Sequence, residues 1–65
     1  MDKFDISKKT TLWHLTKEGN ARPTKTAETK SEIISIMKEY MSNKNASVRI
    51  HKEDGKIQEV RTYKK

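Results

Sequence analysis

The fold of this protein is decided by residues 46–63, which read ASVRIHKEDGKIQEVRTY. Val48 and Ile50 alternate with polar residues, which is typical of a strand that buries one face. Asp54-Gly55 separates this strand from a second β-rich run. A type I turn followed by glycine at positive φ suits this position and makes a three-residue hairpin loop. The sequence therefore predicts a β-hairpin over residues 46–63.

Two registers are open to this hairpin. The three-residue loop sets Val48 opposite Val60, whereas a two-residue turn sets Val48 opposite Arg61. We favour the first, because it gives both valines to one buried face. The same register predicts that Ile57 faces away from Val48.

A capped amphipathic helix is predicted before the hairpin. Thr29 and Glu32 have the spacing of a capping box, in which the Thr29 hydroxyl accepts from the Glu32 amide and the Glu32 carboxylate reaches back to the Thr29 amide. Asn43 and Asn45 tolerate the left-handed conformation of a C-terminal cap, so we expect the helix to end near residues 42–45. The apolar residues recur at steps of three and four and form one broad face: Ile33, Ile36, Met37, Tyr40 and Met41.

The first half of the chain is predicted to contain two strands. Residues 10–17 hold Thr, Leu and Trp without a breaker, and alternation puts Trp13 and Leu15 on the core side. Pro23 cannot donate a ladder hydrogen bond, so it is assigned to the connection. Residues 24–27 then form a short edge strand.

Residues 1–9 have no clear period and are predicted to be a flexible N-terminal arm, in which Phe4 and Ile6 could add a short edge segment. The rest, residues 10–65, forms one domain. Its fold class is α+β in the order β-β-α-β-β, with one amphipathic helix packed on a small antiparallel sheet.

Composition restricts the class of protein. At 65 residues the chain is near the lower limit for a self-sufficient core, and dimerisation would be a natural way to add stability. The absence of cysteine excludes a disulfide scaffold and a thiolate metal site. No apolar run approaches the ~20 residues of a membrane span, and no signal-peptide h-region is present. We therefore expect a cytoplasmic protein without a membrane partner.

Several short motifs occur in an order that resembles one family. Residues 50–57, IHKEDGKI, are the strongest piece; the others are Trp13, Glu18-Gly19-Asn20, Thr29-Lys30 and Tyr63. Over residues 11–63 the set resembles a family of small bacterial and phage proteins known as domain of unknown function 2188. The helix departs from the family pattern, because Ile and Met stand where alanine is commoner. The resemblance implies the fold and adds little about function, since that family has no established activity.

The sequence favours neither catalysis nor a metal site. His14 and His51 have no spacing that requires them to converge on a carboxylate, and a surface histidine is far commoner than a metal ligand. The serines lack a positioned base, and two glycines make no phosphate-binding loop. We expect no catalytic residue, metal, cofactor or small-molecule substrate, and hence a protein that is not an enzyme.

Nucleic-acid binding is the first functional hypothesis. The net charge is +6 and the pI about 9.7, which favours polyanions, although lysine-rich small proteins also use charge for solubility. Trp13 or Tyr63 could stack on bases if exposed, but so small a core needs both aromatics. Binding would then be directed to phosphates and depend strongly on salt. The candidate contacts lie on the hairpin: Arg49, Lys52, Lys56 and Arg61.

Protein interaction is the second hypothesis, placed slightly behind the first. The last strand would present an edge for strand addition or a symmetric dimer. The candidate interface residues are Leu12, Ile57 and Tyr63. An exposed patch of Leu12 and Ile57 would signal an interface, whereas cover by the N-terminal arm would not. A phage-type modulator of a host protein belongs to this class.

Overall fold

The computed structural model describes residues 1–65 and contains five strands and one helix. The elements are β1 (Asp2–Lys9), β2 (Leu12–Lys17), β3 (Lys25–Ala27), α1 (Lys30–Tyr40), β4 (Ala46–His51) and β5 (Ile57–Tyr63). The strands form one sheet in the order β3-β2-β1-β4-β5. β1 runs parallel to β4, and the other neighbours are antiparallel. The α+β class is confirmed. The predicted antiparallel sheet is corrected to a mixed one, and the predicted chain order β-β-α-β-β is corrected to β-β-β-α-β-β.

The N-terminal residues form the central strand of the sheet, which corrects the expectation of a flexible arm. β1 pairs with β2 on one side and with β4 on the other. Phe4 and Ile6 are buried between those neighbours. The sequence prediction was wrong here because the first nine residues supply only two core side chains, too few to give a clear period. A strand that is flanked on both sides gains its stability from partners far along the chain.

The helix covers one face of the sheet, which we call the inner face; the opposite side is the outer face. Its residues Ile33 and Met37, with Met41 just after its end, complete a core of eleven buried side chains. The strands contribute the other eight: Phe4, Ile6, Trp13, Leu15, Ala27, Ala46, Val48 and Ile50. No β5 residue is in this set, and Tyr63 packs only partly against it. β5 therefore lies beyond the cover of the helix.

Both ends of the helix follow from short-range contacts. Thr29 is the N-cap, and its hydroxyl oxygen accepts from the Glu32 amide at 3.1 Å. The Glu32 carboxylate accepts from the Thr29 hydroxyl rather than from its amide, so the predicted capping box is only half formed. Met41 is the C-cap in right-handed conformation, with its amide bonded to the Met37 carbonyl. The expected left-handed asparagine cap is wrong, because Met41 stays helical to reach the core.

The hairpin loop between β4 and β5 has the three-residue form that the sequence predicts. The Gly55 amide donates to the Lys52 carbonyl at 2.9 Å, and the Lys52 amide donates to the Lys56 carbonyl at 2.8 Å. Gly55 has φ of +91°, the positive value that glycine adopts without strain. Asp54 accepts the Lys56 amide at 3.0 Å through its side chain. This loop is thus closed by its own residues.

The register beyond that loop differs from the prediction. His51 pairs with Ile57, but Ile50 pairs with Glu59, so Gln58 is the extra residue of a β-bulge. Val48 therefore lies opposite Arg61, and Val60 moves to the outer face. The predicted pairing of Val48 with Val60 is wrong for a physical reason. The helix packs mainly on β2 and β3, towards the other edge of the sheet, so burying Val60 on the inner face offers little gain.

Candidate functional site

An ion-pair cluster occupies the centre of the outer face. It consists of Asp5 on β1 with Arg49 and His51 on β4, and we call it the Asp5 cluster. Arg49 Nη2 donates to Asp5 Oδ2 at 3.0 Å, and His51 Nε2 lies 2.9 Å from Asp5 Oδ1. Arg49 Nε lies 2.9 Å from the same Oδ1, but its N–H makes no hydrogen bond there. The cluster joins β1 to β4 by side chains as well as by backbone.

The His51 ring also connects this cluster to the hairpin loop. Its Nδ1 lies 3.1 Å from the Gly55 carbonyl oxygen, so each ring nitrogen faces an acceptor. A ring with a single N–H satisfies one of these contacts, and the doubly protonated ring satisfies both. Neither nitrogen is left to accept a proton from a hydroxyl. The arrangement therefore fits structural support of the loop better than general-base chemistry.

The four predicted nucleic-acid contacts do not share one surface. Arg49 lies on the outer face in the Asp5 cluster. Arg61 lies on the inner side of β5, where its Nη2 is 3.1 Å from Glu59 Oε1. The hydrogen bond to Glu59 raises the pKa of the Arg61 guanidinium. Lys52 and Lys56 are exposed at the loop and make no ion pair, but Glu53 and Asp54 lie between them, so the tip carries two positive and two negative charges.

The three predicted interface residues are also separated. Leu12 and Ile57 are 37% and 54% exposed on the outer face. Their strands have β1 and β4 between them, a separation of about 14 Å at ordinary strand spacing. Tyr63 is half-buried on the inner face. Leu12 and Ile57 therefore form no continuous patch.

An exposed apolar residue that sequence reasoning missed lies beside Ile57. Val60 is 55% exposed and occupies the outer face of the same strand. The sequence prediction missed Val60 because it depends on the bulge at Gln58, and no short-range sequence pattern predicts that bulge. Ile57 and Val60 make a small β-branched strip along β5. Thr62 continues the strip on the same face.

β5 is also a free edge of the sheet. It spans seven residues, and only Arg61 and Tyr63 among them are half-buried. The other edge strand, β3, has three residues and follows Pro23. An edge strand carries a row of N–H and C=O groups without partners in its own sheet. β5 is thus the longer of the two places where another strand can add.

Trp13 is not free to stack on a ligand. It is 5% exposed and lies in the core, with Lys30 Nζ 5.5 Å from its ring centroid. Lys30 also bonds the Gln58 side chain at the bulge. Lys30 therefore connects the N-terminal end of the helix to both β2 and β5.

The structure contains no group of three or more His, Asp or Glu side chains placed to hold a metal ion. It has no ligand-sized pocket. Its one helix is too short and too polar to cross a membrane.

These observations define a small α+β domain with a five-stranded mixed sheet, one helix on the inner face and an open outer face. The chain belongs to the family described as an uncharacterized protein conserved in bacteria, domain of unknown function 2188, whose sequence profile matches residues 5–63. The family resemblance drawn from the motifs is confirmed. No curated protein matches the chain, and no solved structure matches it.

Proposed function

We propose that this chain is a protein-interaction module that binds a partner strand along the free edge of β5. One observation carries the proposal: a seven-residue edge strand bears two β-branched apolar side chains, Ile57 and Val60, that are more than half exposed. Backbone groups along such an edge supply affinity, and the alternating side chains supply specificity.

Charge at the middle of this edge supports the proposal. Natural proteins protect free edges with lysines, inward-pointing charges or bulges. Glu59 and Arg61 both point inward, but they are paired with each other through two contacts. Their pairing leaves the middle of β5 without net charge. Lys56 and Lys64 lie only at the two ends of the strand.

The experiment compares two lysine substitutions on the outer face. Val60→Lys adds a charge on the edge strand, and Leu12→Lys adds the same charge on β2, inside the sheet. Each chain is immobilised and exposed to a nuclease-treated lysate of bacteria that also express the unsubstituted chain. We expect protein to be retained by the unsubstituted chain and by Leu12→Lys, and retention to fall at least about tenfold with Val60→Lys. Equal retention by both variants would contradict the β5 interface.

Nucleic-acid binding is a second candidate function, which we propose for the hairpin tip. It is favoured by Lys52 and Lys56, which are exposed and in no ion pair, whereas Glu53 between them is paired with Lys8. The two hairpin arginines contribute less, because Asp5 and Glu59 already neutralise them. Two phosphate contacts predict a weak interaction whose logarithmic affinity falls with a slope of about −2 against the logarithm of salt concentration.

Mobility shifts on random duplex and single-stranded DNA or RNA test this candidate at low and moderate salt. The paired reversal of Lys52→Glu and Lys56→Glu should abolish the low-salt shift. Lys25→Glu with Lys38→Glu is the matched control, because both lysines are exposed and unpaired elsewhere on the surface. A shift that both double variants lose equally would reflect net charge rather than a site at the tip.

A further inference from the structure

We infer that the partner which fits the β5 edge is β5 of a second copy of this chain, running antiparallel about a two-fold axis through Val60. The inference rests on the proposed function, because it takes the same edge as the interface. It adds the identity of the partner and one specific register.

Sheet geometry leaves few registers for such a pair. When two copies join edge to edge, their sheets become continuous, and residues directly opposite each other point to the same face. Glu59 and Arg61 are inner-facing and Val60 is outer-facing. A two-fold axis between two adjacent positions would set an inner-facing residue opposite an outer-facing one. The axis of an antiparallel pair must therefore pass through a residue position.

Charge selects one of these positions. An axis through Glu59 sets that carboxylate opposite its own copy, and an axis through Arg61 does the same for the guanidinium. Like charges directly opposite are destabilising. An axis through Val60 sets Glu59 opposite Arg61 of the second copy, and it does so twice because the pairing is symmetric. The strand is thus self-complementary about Val60.

The ion pair within each copy would then become part of a network. Arg61 Nη2 already lies 3.1 Å from Glu59 Oε1 of its own strand. Across the two-fold axis, two carboxylates and two guanidinium groups would alternate, and each would have an opposite charge beside it and another across from it. Such networks contribute more than isolated surface pairs.

The outer face fits the same axis. Val60 would contact its own copy, and the bulge puts Ile57 rather than Gln58 on the outer face, so Ile57 would lie opposite Thr62. β-branched residues in cross-strand pairs are favourable. The exposed halves of Ile57 and Val60 would be partly covered. An edge-only contact is small, so the dimer should be weak and depend on concentration.

The test uses charge exchange between copies. Glu59→Arg alone puts cations opposite cations, and Arg61→Glu alone puts carboxylates opposite carboxylates, so each variant should dimerise at least about tenfold more weakly than the unsubstituted chain. An equimolar mixture of the two restores Glu–Arg pairs across the axis. The mixture, and the double exchange Glu59→Arg with Arg61→Glu, should recover affinity to within about threefold. Sedimentation equilibrium from about 10 µM to about 1 mM measures these constants.

Glu39→Arg is the matched control, since it makes the same change of charge on an exposed helical residue that is in no ion pair. Circular dichroism of every variant verifies that it is folded. Single variants that dimerise like the unsubstituted chain, a mixture that stays monomeric, or an unsubstituted chain that is monomeric at about 1 mM would each overturn the inference. If lysate protein is nevertheless retained through β5, the proposed function stands without this partner.

Discussion

The orientation of β5 can be tested by one substitution made at two valines. Val48 is fully buried on β4, whereas Val60 is 55% exposed on β5. Valine to alanine removes two carbons, worth about 1.6 kcal/mol at about 0.8 kcal/mol per buried group. A residual cavity raises the cost at Val48 to about 2–3 kcal/mol. At Val60 less than half of the side chain is buried, so the cost should be at most about 0.7 kcal/mol.

Urea unfolding followed by Trp13 fluorescence measures both costs, because Trp13 is the single tryptophan and lies in the core. A domain of this length should have a free energy of unfolding of about 3–10 kcal/mol, so both differences are resolvable. Protein at low micromolar concentration keeps any dimer from contributing at Val60. Equal destabilisation by the two variants would refute the bulge and would restore the register in which both valines are buried.

Three further predictions concern stability, each measured by urea unfolding. Asp5→Ala leaves His51 without a carboxylate and Arg49 with only that of Glu18, 3.9 Å away, and should cost about 1–3 kcal/mol. Asp2→Ala, whose exposed pair with a lysine is 3.8 Å long, should cost less than about 0.5 kcal/mol. Similar costs would contradict a structural role for the Asp5 cluster. Thr29→Ala removes the N-cap acceptor and should cost about 1 kcal/mol, with Thr29→Asn recovering most of it. Gly55→Ala should cost about 1 kcal/mol through backbone strain alone, since nothing lies within 4 Å of the added carbon, and Gly55→Asn should cost less.

The Asp5 cluster gives the outer face a defined role in the fold. It spans the only parallel pair of the sheet, β1 with β4, and through His51 it reaches the carbonyl of Gly55. The hairpin that carries β5 is therefore braced from the middle of the sheet. A braced edge loses little conformational freedom when a partner strand adds, which favours binding.

Features that depend on neighbouring residues were predictable from the sequence. The Thr29 cap, the Gly55 loop and the alternation of Val48 with Ile50 each involve contacts within a few positions, so local chemistry determines them. Leu15 and Trp13 follow the same rule, and both are buried as predicted. The outward direction of Ile57 is also confirmed, because it depends only on the loop beside it.

The interaction surface itself was decided by the tertiary structure. β1 became the central strand through pairing with β4, more than forty residues away, and no local pattern in residues 1–9 specifies that partner. Val60 was turned outward by a bulge on a strand that contributes no residue to the buried core. Burial of an apolar side chain depends on what covers it, and that cover comes from distant parts of the chain. The sequence by itself thus determined the hairpin and the helix, whereas only the assembled sheet decided which side chains its free edge exposes.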